Sequence, residues 1–194
     1  EPIRTSEGVW YPYQSGMVTT GRSSYLMDAE PRFGFTYGFV EARVRVDAGR
    51  GLWPAVWMLP LSHEARPEID ILEILGHRPD TIEMHMHVDD DDGNSTVFGA
   101  NYSNESTTDG WHVVAVNWSP ESVTWYIDGV ERFRVAQRIP AEPMYLLANL
   151  AIGGEWPGDP DGLTVFPATF EIDYVRVWQQ DMDWFTTTGT FASR

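Results

Sequence analysis

A chain of 194 residues with 42% apolar side chains suits one domain. At this length folding buries about 70% of the unfolded surface, and the composition is too apolar for a disordered segment. The formal net charge is −16 and every basic residue is arginine, so phosphate backbones and sulfated polymers would be repelled. Cysteine is absent, which removes disulfides and thiolate chemistry, and no apolar run is long enough to cross a bilayer as a helix.

Taken in chain order, short alternating segments recur at roughly ten-residue intervals between turn signals, the pattern of an all-β sandwich or barrel. FTYGFVEARVRV (35–46) puts Glu41 and Arg43 on one face. In LWPAVWML (52–59), Trp53 and Trp57 share a face opposite Leu52, Val56 and Met58. A strand over 68–75 follows, then TIEMHMHV (81–88), where Glu83, His85 and His87 oppose Met84, Met86 and Val88. The short GHRPD turn predicts that these two strands pair, bringing both histidines near the acids of the first. Two histidines at this spacing could hold zinc, but no third ligand is evident. DDDDGNS (89–95) reads as a solvated loop without EF-hand spacing.

Further strands are expected over 111–118, 122–127, 131–135, 144–151 and 170–178. The pair SVTWYI-DG-VERFRV predicts a hairpin on a two-residue Asp-Gly turn. His112 reads as structural. Neither repeats nor a domain boundary are visible, so residues 1–194 are read as one domain. The N-terminus has no signal-peptide pattern, although a mature secreted chain would lack one too.

PEIDILEILG (67–76) sets three carboxylates into an apolar run. Alternation puts Glu68 and Asp70 on one face and Ile69 and Ile71 on the other. Plain alternation sends Glu73 to the core face. A β-bulge at Ile71–Leu72 would return it to the face of the other two. Two glutamates flanking an aspartate then suit retaining glycoside hydrolysis, with one carboxylate as nucleophile and one as acid and base. Crowding three carboxyls should raise one pKa. A charged strand edge or a metal site is the alternative reading of the same pattern.

PEIDILEILG resembles the signature of glycoside hydrolase family 16, the laminarinase and lichenase family, in its bulged E-x-D-x-x-E form. The resemblance extends through SGMVTT (15–20), YGFVEARVRV (37–46), GLWPAVWMLP (51–60), WHVVAVNWSPESVTWYIDG (111–129), NLAIGGEWPG (149–158) and FEIDYVRVWQ (170–179). It implies a β-jelly-roll sandwich of two curved antiparallel sheets, concanavalin A-like, with a cleft on the concave face. By this resemblance Glu68 is the nucleophile, Asp70 the assisting carboxylate and Glu73 the acid/base.

Glu41 and Arg43 resemble a pair that bonds sugar hydroxyls, against a surface ion pair as the plainer reading. Trp53 is expected as a sugar platform and Trp57 as a wall beneath the catalytic strand, with core packing as their alternative. His85 and His87 are expected beside the carboxylates, and the resemblance supports His87 most. Asn149 resembles a sugar-binding asparagine and Trp156 a loop tryptophan that stacks on glucose, which points to β-1,3-glucan; Glu155 departs from the neutral residue usual beside it. Asp173 resembles a ligand of a structural Ca²⁺, and catalysis requires no cofactor.

The implied function is retaining endo-hydrolysis of β-1,3- or mixed β-1,3/1,4-glucan by a monomeric extracellular enzyme. Its substrate would be a neutral polysaccharide, with neither nucleic acid nor membrane as partner. Alternatives are a non-catalytic glucan-binding protein on the same scaffold, an agarase-like specificity, or a transglycosylase. Family members carry N-terminal strands before the SGMVTT block that are not seen here, and the tail 181–194 does not resemble them. Unpaired sheet edges are therefore expected.

Overall fold

The computed structural model describes residues 3–4, 8–21, 31–62, 64–103 and 107–179; the tail 181–194 lies outside the described residues. Every named element is a strand. These are β1 (Ile3–Arg4), β2 (Trp10–Tyr11), β3 (Met17–Thr19), β4 (Gly38–Val46), β5 (Leu52–Pro60), β6 (Glu68–Glu73) and β7 (Thr81–Asp89). After them come β8 (Ser95–Ser103), β9 (His112–Trp118), β10 (Val123–Ile127), β11 (Val130–Val135), β12 (Met144–Ile152) and β13 (Phe170–Trp178). Among the described residues no helix is long and apolar enough to cross a membrane.

Two antiparallel sheets pack face to face. One has the order β11-β10-β9-β4-β13, the other β3-β12-β5-β6-β7-β8, and β1 and β2 form a separate ribbon. The alternation read from sequence fixes which face is buried. Val40, Ala42, Val44 and Val46 of β4 point inward, as do Val114, Val116 and Trp118 of β9. They meet Val56 and Met58 of β5, Ile69 and Ile71 of β6, and Met84, Met86 and Val88 of β7. Each fully buried aliphatic side chain contributes about 1.5–3 kcal/mol relative to an exposed one. The expected hairpin is present: Asp128 and Gly129 link β10 to β11 at φ values of 50° and 78°.

The short strands β1, β2 and β3 have no counterpart in the sequence reading, and neither does one long strand: STVFGANYS forms β8, the outermost strand beside β7. Its inward residues are Thr96, Phe98, Ala100 and Tyr102, of which the last three pack against the core. Mixed polarity and a central glycine hid the alternation, which an edge strand needs less strongly than a central one. At the opposite side β3 and β13 are the outermost strands. They expose Met17, Val18, Val175 and Trp178 and flank an apolar groove of about 800 Å³. The expectation of open edges therefore holds for the described residues.

The bulge is where sequence placed it. Against β7, Asp70 pairs with His85 and Glu73 with Glu83, so three steps on β6 answer two on β7. Against β5, Asp70 and Leu72 pair with the consecutive residues Trp57 and Val56, leaving Ile71 extra. Ile71 and Leu72 are both 1% exposed, so both go to the core, and the strand leaves the bulge with its alternation reset. The Asp70 carbonyl accepts a 2.8 Å hydrogen bond from the indole Nε1 of Trp125, a fully buried residue of the facing sheet. That bond satisfies a buried carbonyl at the distorted point of the ladder, where an orphan would cost about 1–3 kcal/mol.

Trp125→Phe removes this donor and leaves a void. It should lower unfolding stability by about 2–4 kcal/mol in urea titrations, the sum of orphaning the carbonyl and losing ring volume. A change under about 0.5 kcal/mol, the size of an ordinary surface substitution, would show that the bond across the sheets is not needed.

Candidate active site

The outward face of the six-stranded sheet carries the site. Odd-numbered residues of β5 put Trp53, Ala55 and Trp57 there; β12 adds Asn149 and Ala151, and β6 adds Glu68, Asp70 and, through the bulge, Glu73. Together they line a cavity of about 210 Å³. The alanines matter by being small. Ala55 lies directly across from Glu73 and Ala151 across from Trp53, so space remains between indoles and carboxylates. Glu83, His85 and His87 of β7 continue the same face.

Glu73 is gripped from two sides. Trp53 Nε1 donates to Oε1 at 3.1 Å, and His85 Nδ1 lies 2.8 Å from Oε2. Glu73 is 7% exposed and Asp70 2%, so both carboxyls depend on protein partners rather than water. His87 Nε2 approaches Asp70 Oδ2 to 3.2 Å. Trp57 Nε1 donates to Asn149 Oδ1 at 2.8 Å, which fixes the asparagine's orientation in the cavity wall. Trp156 stands edge-on to Trp53, with ring centroids 5.4 Å apart and an 87° interplanar angle, and its ring lies 5.9 Å from His85. Trp156 is 41% exposed, which leaves much of its ring surface open to a ligand.

Some contributors were not legible beforehand. Gly99 of β8 faces His85, and a Cβ at that position would lie 2.5 Å from the imidazole Cδ2. Glycine is therefore what lets the ring lie flat against β8. Glu83, opposite Glu73 on β7, is held by Arg78 at 2.7 Å, so its charge is compensated within the turn that joins the strands. Trp125 was assigned to a strand, but its role beneath the bulge spans 55 positions in sequence, and no local signal carries it.

The upward pKa shift expected of one carboxyl falls on two. Glu68 is pushed up to about 8, first by burial and then by the charge of Asp70. Asp70 is also pushed up to about 8, first by burial and then by the charge of Glu73, while its hydrogen bond with Glu68 pulls the other way. The two titrate as a pair that retains carboxyl protonation at neutral pH. His85 is raised by its bond to Glu73, which outweighs the opposing effect of burial. The contact with Glu73 thus favours the protonated imidazole of His85 beside the cavity. Proton-sharing carboxyls beside a cavity of this size can run acid–base and nucleophilic chemistry.

One expectation is corrected. Glu41 and Arg43 lie on β4, in the other sheet, and point outward from it, so the whole core separates them from the cavity. Glu41 accepts a 2.7 Å bond from Tyr174, and Arg43 pairs with Asp173 at 2.6 Å while its guanidinium stacks 4.8 Å from the Trp111 ring. The plainer reading, a surface ion-paired strand, is the right one. Alternation within a strand says which residues share a face, but not which sheet the strand joins.

Asp173 sits at the bulge of β13 with that guanidinium against it. That guanidinium compensates its charge, and among the described residues no group of three close His, Asp or Glu side chains includes it. In the acidic loop, Asp90 accepts the backbone N–H groups of Asp92 and Asn94 and closes the turn itself. His112 is structural as expected, pairing with Asp128 at 2.9 Å.

The model for glycosyl hydrolases family 16 matches residues 13–176. Endo-1,3-1,4-beta-glycanase EglC of Rhizobium meliloti is 34% identical over 175 residues, covering 90% of this chain and 35% of that protein. The chain thus spans about a third of that relative's length. Among solved structures, the catalytic domain of an endo-1,3-beta-glucanase (laminarinase) from Thermotoga petrophila superposes with a TM-score of 0.81 at 31% identity, covering 93% of this chain and 75% of that one. The laminarinase catalytic domain from Thermotoga maritima gives 0.80 at 30% identity, covering 93% and 74%.

Raised carboxyl pKa values make stability fall as pH rises. The folded chain keeps the Glu68–Asp70 proton over a window, from about 4 to about 8, in which the unfolded chain has lost it. Asp70→Asn should flatten that decline. Its melting temperature should match wild type near pH 4 and exceed it at pH 8, by about 2–4 °C for each kcal/mol relieved in a chain of this size. Parallel pH curves for the two proteins would contradict the shared-proton assignment.

Proposed function

The chain belongs to glycosyl hydrolases family 16, and on that premise we propose that it cleaves internal β-1,3 or mixed β-1,3/1,4 linkages of a neutral glucan with retention of configuration. The observation that carries this reading is the bulge. It brings Glu68, Asp70 and Glu73 to one cavity face, with Glu73 fixed between Trp53 and His85.

In this mechanism Glu68 attacks the anomeric carbon, and the bond to the leaving oxygen breaks as Glu73 delivers the proton it shares with His85. Asp70, carrying the proton of the carboxyl pair, donates to Glu68 and leaves its free oxygen as the nucleophile. Water then loses a proton to Glu73 and attacks the glycosyl–Glu68 ester, releasing the sugar and restoring both carboxyls. Trp53, Trp57 and Trp156 offer indole surfaces for sugar rings, and Asn149 a held amide for their hydroxyls. The names of the glycanase relative and the laminarinase neighbours support the choice of linkage. A net charge of −16 suits an uncharged polymer. A polymeric substrate of this kind supports action outside the cell, and the proposed enzyme acts as a monomer.

Reducing-sugar release from laminarin and barley β-glucan tests this. Glu68→Gln and Glu73→Gln should each lower kcat by at least about 10³-fold, since neither step has a substitute group. Proton NMR of the first product formed by wild type should show the β-anomer. Equal activity in all three proteins, or an α-anomer first, would refute the assignment.

A further inference from the structure

Among the described residues one group of side chains has the composition and closeness of a transition-metal site: Asp70, His85 and His87 offer one oxygen and two ring nitrogens that all lie within 4.8 Å of one another. The expectation that the two histidines lack a third ligand is therefore corrected, because the bulged strand brings Asp70 beside them. From this geometry we propose that the Asp70–His85–His87 cluster binds a borderline divalent cation of the Zn²⁺ class, and that the bound ion reversibly inhibits the enzyme.

Three observations support the site independently of the hydrolytic reading. Asp70 is 2% exposed, and its Oδ2 accepts no hydrogen bond with acceptable geometry, so a buried acceptor is aimed into the cluster without a full partner. His87 Nε2 lies 3.2 Å from that oxygen. Ligands of a tetrahedral zinc at about 2.0–2.1 Å sit about 3.3 Å apart, so this pair already has the spacing, and a ring nitrogen of His85 lies within 4.8 Å of both. Two imidazoles, one carboxylate and an open cavity make an N₂O set with a free fourth position, which favours zinc over calcium or magnesium.

The inhibitory part rests on the proposed function. Asp70 is the partner of Glu68, and His85 holds Glu73. A metal drawing on both would unsettle the nucleophile and the acid/base together. No chemistry needs the ion, and its effect is purely to occupy these side chains.

Isothermal titration of the EDTA-treated chain with ZnCl₂ is expected to give one Zn²⁺ per chain, with CaCl₂ and MgCl₂ giving no heat of binding. Asp70→Asn and His87→Ala should each weaken Zn²⁺ binding at least about tenfold while circular dichroism shows a wild-type fold, since each removes one of three ligands. His112→Ala, on the other sheet, should leave Zn²⁺ binding unchanged. Absent binding, unaltered affinity in the Asp70 and His87 variants, or loss of binding in His112→Ala would overturn the site. Separately, laminarin hydrolysis by wild type should fall over the same Zn²⁺ range and recover with EDTA. Zinc binding without inhibition of an active enzyme overturns the inhibitory role alone. A chain that binds zinc at this site but never cleaves glucan refutes the proposed function and leaves the site standing.

Discussion

The hydrogen bond from Trp125 to the Asp70 carbonyl joins the core to the proposed chemistry. A bulge in the middle of a sheet disrupts the ladder, and in a buried strand the released carbonyl needs a partner. Trp125 supplies it from the opposite sheet while filling the core beneath the catalytic face. The sandwich thus does more than present a strand. It stabilises the irregular backbone that turns three acids toward one cavity.

Above that backbone, the site is a problem of excess charge in little water. Three carboxyls lie on six residues of one strand, and two are nearly buried. The structure answers with protonation favoured at Glu68 and Asp70, and with a hydrogen bond between Glu73 and His85, rather than with arginine partners. Arg78, in the turn between β6 and β7, is spent on Glu83. An arginine against Asp70 would lower its raised pKa and remove the proton it offers to Glu68. Destabilising the fold at neutral pH is the accompanying effect, a common relation between active sites and stability.

Legibility from sequence followed the range of each interaction. The period of two identified most strands, the shared face of Trp53 and Trp57, and the histidine stripe of β7. The odd spacing from Asp70 to Glu73 announced the bulge, since no regular strand can put both on one face. What the sequence left unread was the relation between distant segments. Glu41 and Arg43 alternate correctly but belong to the wrong sheet for the cavity. Gly99 and Trp125 matter only through partners on other strands, as does the pairing of Asp173 with Arg43. Asp70 completes a set with His85 and His87 only once β6 and β7 are in register.

The register of β6 also has a genetic consequence. Because side chains alternate with a period of two, no substitution at Ile71 or Leu72 can turn Glu73 inward while the backbone keeps its extra residue. A one-codon deletion there removes the extra residue itself, and plain alternation then keeps both acids on the cavity face two positions apart. The shared face is therefore buffered against missense change at these two positions and against in-frame loss of either codon, and what such a loss removes is the bulge. Diversification of such a strand by point mutation would vary what surrounds the acids, whereas a change in their spacing requires an insertion or a deletion.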